Sequence, residues 1–281
     1  MEQKLETFLT LCETMHYGRA AEFLNLTQPA VSKHIRALEN EYGVKLFSYS
    51  GRKLAKTKQA ERLEQYARSL KYNETALLQQ LYENPVNLIR VGATKTIGEY
   101  ILYPYIQNFL KNDRNRLELV VDNTERLLGQ LNNGELDFAI LEGIFEKSRY
   151  DYYLYRMEPY IGICSKEHPF AGREVLVEEV LKERILLREK GSGTRDILER
   201  ELINLGFKTD SMNEQNSISS FELIKALVKD NYGISFLYDA VVKEKEEFAY
   251  FTCPPLTGEH ELNVVFLKNT DVLRTAEMFL K

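Results

Sequence analysis

The 281-residue sequence predicts a small all-α domain, one long helix and then a larger α/β domain in two lobes. Three observations predict this order. Apolar residues recur at helical spacing up to Tyr42, no Gly or Pro interrupts residues 58–84, and strand-like apolar runs alternate with helical patterns from Leu88 onward. At 44% hydrophobic residues, the chain has enough apolar side chains for a core in each domain.

Residues 1–60 predict a winged helix-turn-helix domain. Thr27 can cap a helix that ends at Gly43, and a shorter helix at about Arg19–Leu24 precedes it across a tight turn. A basic hairpin at residues 48–57 follows as the expected wing. This arrangement is typical of domains that lay the second helix of the pair in the DNA major groove.

One face of this predicted recognition helix carries groups that read base edges. Gln can bond adenine bidentately, Lys and Arg can reach guanine or phosphate, and Ser can serve either. An ordinary surface helix would also show a solvated polar face, but the supporting helix in residues 1–16 and the hairpin favour DNA binding. The candidate DNA-binding residues are Thr27, Gln28, Pro29, Ser32, Lys33 and Arg36, with Arg52 and Lys53 in the wing.

Charge differs between the two parts of the chain. Residues 1–60 hold nine Lys and Arg against six Glu, a balance of +3, whereas the remainder holds 28 basic against 36 acidic residues, a balance of −8. A weakly basic head can bind DNA by releasing counterions at a few phosphates even when the whole chain is acidic. The charge pattern therefore indicates which end meets DNA.

Residues 61–84 predict a linker helix with a short heptad repeat. Apolar residues recur at alternating spacings of three and four, with one polar core position that can fix the register of a coiled coil. Over two heptads, a helix packed on its own protein competes with a helix paired across a dimer. The repeat positions are Leu63, Tyr66, Leu70, Asn73 and Leu77.

From residue 85 onward the sequence predicts βα units with parallel sheets in two lobes. Lobe I is expected at about 85–159 and 268–281, and lobe II at about 160–267. Ligands of such folds bind at the carboxyl ends of strands, in the cleft between the lobes. A helix is expected over Gly98–Leu110, and crossings between the lobes are expected near Arg156–Ile161 and Phe266–Asn269.

Two βα turns at the predicted cleft place hydroxyl side chains and free N–H groups at a helix N-terminus. Such a terminus suits a small anion, and glycine permits close backbone approach to a bound group. Either turn alone would indicate simple helix capping, whereas two in facing positions favour a ligand site. The candidate effector residues are Thr94, Lys95 and Thr96 in one turn, Ser192, Gly193, Thr194 and Arg195 in the other, and Thr124 and Ser219 as secondary candidates.

The sequence shows no motif of several other classes. It has no nucleophile elbow, phosphate loop, plausible triad or metal-ligand spacing, so no catalytic residue, metal or cofactor is predicted. Three isolated cysteines, no leader and no apolar run of ~18 residues predict a reduced cytoplasmic protein without a membrane span. An α/β enzyme and a two-lobed small-molecule binding protein without a DNA role remain the alternatives.

The N-terminal motif resembles the signature of the LysR-type transcriptional regulators. The resemblance covers the whole chain, because the remaining length and motifs also fit the effector domain of that family. Many members have an apolar residue where this chain has Lys56. The matching positions are Ala20, Ala21, Leu24, Thr27 to Ser32, Ile35, Leu38, Glu39, Gly43, Leu46, Phe47, Arg52, Thr57 and Ala60.

The resemblance implies a DNA-binding domain at 1–60, a dimerising linker helix at 61–84 and an effector domain of the type-2 periplasmic-binding-protein kind at 85–281. It implies a sequence-specific regulator whose DNA binding or activation is switched by a small anionic metabolite in the cleft. The implied partners are a palindromic operator in double-stranded DNA, the effector and further copies of the chain in a homodimer or homotetramer. A contact with RNA polymerase is left open.

Overall fold

The structure is a computed structural model that describes residues 2–51, 53–81, 87–207, 216–242 and 247–281. Of residues 79 and 80 it describes the backbone alone. Within these ranges no helix combines the length and the apolar character that a membrane span requires.

Three helices and a two-stranded hairpin form the N-terminal domain, as the sequence predicts. The Thr27 hydroxyl caps the third helix by accepting from the Ala30 N–H at 3.4 Å, and Gly43 ends this helix with a φ of 67°. The second helix begins two residues before the predicted Arg19, because the His16 ring accepts from the Arg19 N–H at 3.2 Å. The elements are α1 (Gln3–Thr14), α2 (Tyr17–Phe23), α3 (Gln28–Tyr42), β1 (Phe47–Ser50) and β2 (Lys53–Lys56).

A single helix, α4 (Lys58–Leu81), connects the N-terminal domain to the α/β domain. It begins where the Thr57 hydroxyl accepts from the Ala60 N–H at 3.1 Å. Its predicted end near Asn84 lies outside the described residues. The helix packs on α1 and β2 at one end and on the α/β domain further along, so both domains contact it.

One seven-stranded sheet runs through the α/β domain. Its strands are β3 (Asn87–Thr94), β4 (Asn115–Asp122), β5 (Phe138–Glu142), β6 (Tyr150–Cys164), β9 (Ser235–Tyr238), β10 (Ala249–Phe251) and β11 (Gly258–Leu267); β7 (Leu186–Leu187) and β8 (Asn216–Ser217) form a separate pair. The order is β10-β6-β11-β5-β3-β4, with β9 also on β6. β4 and β5 pair with β3 in parallel, whereas β6 and β11 run antiparallel to their neighbours. The prediction of parallel sheets is therefore wrong for most strand pairs of this sheet. The two long strands β6 and β11 run side by side in opposite directions, and β5, β9 and β10 pair antiparallel to them.

Two lobes arise because β6 and β11 pass from one half of the domain to the other. The β6 strand leaves β11 at Tyr160 and continues with β9 and β10, so the first crossing falls within the predicted Arg156–Ile161. The β11 strand already pairs with β5 at Leu262, next to a register shift. The second crossing therefore precedes Leu262, and the predicted position at Phe266–Asn269 is wrong. Lobe I is the half with β3, β4 and β5, and lobe II is the half with β9 and β10.

The predicted helix over Gly98–Leu110 is two short helices. Pro104 has no N–H to continue a helix from the preceding turn, and it lies in the first turn of the second helix instead. Ile101 and Leu102 are buried at the break. The helices of the α/β domain are α5 (Lys95–Tyr100), α6 (Tyr103–Phe109), α7 (Thr124–Asn132), α8 (Val177–Val180), α9 (Gly193–Asn204), α10 (Phe221–Lys229) and α11 (Leu273–Phe279).

The N-terminal domain and the α/β domain have separate hydrophobic cores. Phe8 and Ile35 lie in the first, whereas the larger core continues from Phe138 in lobe I to Ile224 in lobe II. Apolar side chains therefore bridge the two lobes.

Candidate DNA-binding surface and effector site

The predicted recognition helix, α3, presents its candidate residues to solvent. Its opposite face is anchored by Val31, Ile35 and Leu38, which are at most 2% exposed. Among the described residues, Lys33 and Arg36 form no ion pair, so both charges are available to a polyanion. Solvent reaches Thr27, Gln28, Pro29, Lys33 and Arg36 freely, and Ser32 is half-buried.

The wing divides its basic residues between solvent and the protein interior. Lys53 is exposed on β2, whereas Lys56 turns inward and its ammonium lies 2.7 Å from the Glu64 carboxylate on α4. This ion pair explains a basic residue where the resembled family often has an apolar one, because Glu64 is itself buried and needs a counter-charge. Arg52, the other predicted wing contact, lies outside the described residues.

A buried arginine on α4 joins the N-terminal domain to lobe I. The Arg68 guanidinium lies 2.7 Å from Glu64 and 3.3 Å from Glu13 of α1, and it also donates to the carbonyl of Asn132 at the end of α7. Burial alone would raise the pKa of Glu64, but hydrogen bonds from Lys56 and Arg68 hold it below its usual value. We call Glu13, Lys56, Glu64, Arg68 and Asn132 the linker cluster.

Further hydrogen bonds fasten α4 to lobe I. The Ser69 hydroxyl donates to the Lys268 carbonyl, and the Asn73 amide donates to the Asn269 carbonyl at 2.9 Å. Asn73 therefore contacts its own effector domain, and its place as a polar core position of a coiled coil stays a prediction. Several large apolar side chains of α4 are exposed to solvent: Tyr66, Leu70, Leu77, Leu78 and Leu81.

Both predicted effector turns meet at Glu142, the last residue of β5. The Thr194 hydroxyl donates to Glu142 Oε1 at 2.9 Å, and the Thr96 hydroxyl faces the same carboxylate without reaching hydrogen-bond geometry. A Cβ on Gly193 would lie 2.6 Å from the Glu142 carbonyl oxygen, so only glycine fits where the two lobes touch. The turns of the two lobes are thus in direct contact.

Helix capping does not explain the hydroxyl side chains at the ends of these turns. Thr94 and Ser192 occupy the N-cap positions of α5 and α9, and neither side chain bonds a helix N–H. Thr94 is 2% exposed and its hydroxyl has no hydrogen-bond partner in the described part of the chain. Because buried polar groups are usually paired, such a group is a candidate for ligand contact.

Three more buried polar atoms around Glu142 have no hydrogen-bond partner among the described residues. They are Glu142 Oε2, Arg188 Nη1 and the Tyr238 hydroxyl, in residues that are at most 3% exposed. Arg188 and Tyr238 both interact electrostatically with Glu142. Burial raises the pKa of Glu142, and the contacts with Thr96, Thr194 and Arg188 only partly offset this. We call Thr94, Thr96, Glu142, Arg188 and Tyr238 the cleft cluster.

The other predicted effector residues have protein partners. Arg195 is buried with its guanidinium 2.6 Å from Glu199, so its charge is neutralised within α9 and its predicted role beside an anion is wrong. The Lys95 ammonium donates to the Ser219 carbonyl at 2.9 Å and lies 3.5 Å from Glu189. The Thr124 hydroxyl donates to the Glu142 carbonyl at 3.2 Å, which is a structural contact.

Sequence reasoning missed Glu142, Arg188 and Tyr238. Each directly follows an apolar run in the sequence, and these runs end at Leu141, Leu187 and Leu237. A polar residue directly after a buried strand falls at the mouth of an α/β cleft, and this signal was present in the sequence. The described residues contain no group of three or more His, Cys, Asp or Glu side chains that could hold a metal ion.

Comparison with known proteins covers both domains. The family model described as bacterial regulatory helix-turn-helix protein, lysR family, matches residues 3–61, and that of the LysR substrate binding domain matches residues 83–281. The HTH-type transcriptional regulator MJ0300 of Methanocaldococcus jannaschii is 28% identical over 269 residues, which is 93% of this chain and 90% of that protein. The putative regulator PtxE of Stutzerimonas stutzeri is 32% identical over 193 residues, 68% of this chain and 97% of that protein. Among solved structures, a cysteine variant of Corynebacterium glutamicum OxyR with H2O2 bound has a TM-score of 0.61 at 25% identity, covering 99% of this chain and 89% of that one.

Proposed function

The chain belongs to the LysR family of transcriptional regulators, and from this premise we propose which of its residues meet DNA and which meet the effector. It is a DNA-binding regulator that a small molecule switches. We propose that the effector is a small anion held in the cleft between the lobes. The observation that carries this is a set of buried hydrogen-bond donors without partners among the described residues, at Thr94, Arg188 and Tyr238, each of which ends or directly follows a strand.

The donors suit an oxyanion better than a neutral apolar molecule. A guanidinium N–H can only donate, and the two hydroxyl groups can each donate one hydrogen bond. An acceptor-rich ligand would pair all three, whereas an apolar ligand would leave them buried and unpaired at about 1–3 kcal/mol each. Ser192 and the backbone N–H groups at the start of α9 add donors at the rim.

Thiol chemistry is the other candidate for the signal, since a structural relative has H2O2 bound. Burial raises the pKa of Cys164 and Cys253 to about 11, and that of Cys12 further still. All three are therefore thiols at neutral pH, and a thiol reacts far more slowly than a thiolate. We accordingly assign the signal to the cleft cluster and propose that the cleft binds its ligand without converting it.

On DNA, we propose that α3 reads bases and the wing holds phosphates. Gln28, Ser32, Lys33 and Arg36 are the base-reading candidates, Thr27 and Pro29 position the helix start, and Lys53 and Arg52 are the wing contacts. The chain would act in the cytoplasm, where its operator lies. A homodimer through residues 61–84 is supported by the exposed apolar side chains of α4; a tetramer and a contact with RNA polymerase rest on the family alone.

The effector proposal is tested by thermal unfolding of the full chain with sulfate, phosphate and oxalate, each compared with chloride at equal ionic strength. An anion at a hundred times its dissociation constant should add about 2.7 kcal/mol of stability. The double variant Thr94→Val, Thr96→Val should lose this gain, whereas Thr75→Val, at an exposed position on α4, should keep it. An equal gain in the double variant, or none in the unsubstituted chain, would refute the cleft as an anion site.

The DNA proposal is tested by gel shift on a cognate operator and on base-substituted versions. Gln28→Ala or Arg36→Ala should cost about 1–3 kcal/mol on the cognate site and relax discrimination at one position, because a base contact is lost. Lys53→Ala should weaken binding to all sequences alike and reduce its salt dependence. Lys71→Ala on α4 removes the same charge outside the N-terminal domain and serves as the control. Unchanged discrimination in the α3 variants would contradict the assignment.

A further inference from the structure

Glu142 is a carboxyl group at the place where the proposed function puts an anion. It is 2% exposed and ends β5 between the two lobes. One carboxylate oxygen accepts from the Thr194 hydroxyl at 2.9 Å, and the other has no partner among the described residues. An ionised carboxylate at this place would repel an oxyanion. The presence of Glu142 in a proposed anion site therefore requires an explanation.

The charges around Glu142 come from both lobes. Arg188 follows β7 and bonds Glu189 through two nitrogens, at 2.8 and 3.0 Å, leaving Nη1 unbonded. Lys95 of α5 lies 3.5 Å from the same Glu189. These three residues sum to one positive charge. An ionised Glu142 makes the set neutral, whereas a protonated Glu142 leaves a net positive charge for an anion.

The remaining titratable groups that pack near Glu142 do not change this balance. Burial raises the pKa of the Tyr160 and Tyr238 hydroxyls well above the usual value, so both stay neutral near pH 7. On α9, Arg195 pairs with Glu199, and the electrostatic partners of Asp196 are Glu199, Arg195 and Glu125 of α7. Whether the net charge of the cleft is zero or positive therefore depends on the protonation of Glu142.

Hydrogen-bond requirements agree with the charge balance. A neutral carboxylic acid presents an O–H donor, which would add to the unpaired donors at Arg188 Nη1 and at the hydroxyls of Thr94 and Tyr238. An ionised carboxylate would instead place an unpaired acceptor among donors that the ligand also requires. Burial itself favours the neutral form of the acid.

We propose that the effector anion binds together with one proton, so that Glu142 meets it as a neutral carboxylic acid and donates its O–H to the ligand. This inference rests on the proposed anion site and adds the chemical class: an oxyanion without a positively charged group. The proton comes from solvent and resides on the unpaired oxygen, Oε2, and no covalent bond forms. A zwitterion such as an amino acid would instead need the ionised carboxylate for its ammonium group.

Proton uptake gives the anion site a definite pH dependence. Above the pKa of free Glu142, affinity for an anion that does not itself titrate should fall about tenfold per pH unit, because each complex takes up one proton. Glu142→Gln keeps a neutral hydrogen-bond donor at the same place, so its affinity should not vary with pH. In this variant the loss of affinity at high pH should disappear.

The test is calorimetric titration of the full chain with sulfate and oxalate from pH 5.5 to 8.5, in pairs of buffers that differ in ionisation enthalpy. Both probes stay fully ionised over this range. We expect up to one proton taken up per bound anion in the unsubstituted chain and none in Glu142→Gln. Glu99→Gln, the same substitution at an exposed position on α5, should behave as the unsubstituted chain does.

Each other outcome has one meaning. Anion binding without proton uptake at any pH would overturn this inference and leave the anion site intact. Loss of binding in folded Glu142→Gln, together with binding of glycine by the unsubstituted chain, would show that the ionised form pairs with an ammonium group. Absence of anion binding in both chains would instead refute the proposed function. Proton uptake by the unsubstituted chain is measured without any variant, so a failure of Glu142→Gln to fold leaves the inference testable.

Discussion

The linker cluster and the cleft cluster are built from the same kinds of residue and differ in how they are paired. Each holds a buried Glu and a buried Arg: Glu64 and Arg68 are 5% and 9% exposed, and Glu142 and Arg188 are 2% and 3% exposed. In the linker cluster both carboxylate oxygens of Glu64 have cationic partners at 2.7 Å. In the cleft cluster one carboxylate oxygen and one guanidinium nitrogen have no partner in the described residues.

The two carboxyl groups respond in opposite ways. Burial opposes ionisation of both, but paired cations lower the pKa of Glu64, whereas the pKa of Glu142 stays raised. A satisfied buried charge network fixes one arrangement of its neighbours, and an unsatisfied one is completed by a ligand or a proton. Pairing rather than composition therefore separates the linker cluster from the cleft cluster, which we propose as the binding site.

Replacing the arginine of each cluster tests this contrast and should give the largest effect. Arg68→Met leaves Glu64 buried with Lys56 alone, so unfolding free energy should fall by about 3–5 kcal/mol. Arg188→Met breaks the ion pair with the partly exposed Glu189 but also removes a buried guanidinium nitrogen that has no partner among the described residues, so it should lower the unfolding free energy by only about 1 kcal/mol. Urea unfolding followed by circular dichroism measures both, since the chain has no Trp.

Exposed Arg62→Met on α4 is the control for the loss of a positive charge and should change little. Similar losses for Arg68→Met and Arg188→Met would contradict the contrast between the two clusters. They would mean that Arg188 is as fully satisfied as Arg68.

A smaller effect is expected in the pH dependence of stability, with opposite sign in the two clusters. The pKa of Glu142 is raised on folding, so its contribution is present below the unfolded pKa and is lost as pH rises through the folded pKa. The pKa of Glu64 is lowered, so its contribution is present above the unfolded pKa and is lost as pH falls through the folded pKa. Each slope is at most about 1.4 kcal/mol per pH unit.

The readout is the stability of the unsubstituted chain minus that of Glu142→Gln or Glu64→Gln, measured by urea unfolding from pH 3 to 8. The first difference should fall as pH rises and the second should fall as pH drops. Two differences that change in the same direction would show that the carboxyl groups share one environment, and the contrast would be lost.

The smallest effect is expected for Lys56→Met, which gives the wing the apolar character common in the resembled family. Glu64 keeps its bond to Arg68, and the lysine is itself partly exposed, so the loss should be about 1 kcal/mol or less. The double variant with Glu64→Gln should recover part of it, because the buried charge is removed as well. A loss as large as that of Arg68→Met would show that Lys56 is the main partner of Glu64.

Elements with a local signal were predictable from the sequence. The start of α3 follows from the Thr27 cap and its end from Gly43. The helix over Gly98–Leu110 was predicted as one element because Pro104 was not weighed as a break, although its missing N–H made the break a local feature as well.

Pairings between distant residues were not predictable in the same way. The contact of Thr194 with Glu142 joins positions 52 residues apart, and the antiparallel course of β6 and β11 joins strands almost a hundred residues apart. Neither leaves a periodic pattern in the sequence. The turns that hold Thr94 and Thr194 could be found from the strand ends, but the hydrogen bond from Thr194 to Glu142 required the fold.

The fastening of α4 to lobe I decides which parts of the chain can move independently. All the hydrogen bonds described above from α4 to the α/β domain end on lobe I, at Asn132, Lys268 and Asn269. The hydrogen bonds thus join α4 to lobe I, and we expect α3, α4 and lobe I to move together if a ligand changes the angle between the lobes. When a ligand shifts lobe II, the head of the same chain has no reason to follow. We therefore expect effector binding to act on DNA binding through contacts between lobe II and a neighbouring copy of the chain. An isolated monomer would then bind effector and DNA independently of each other.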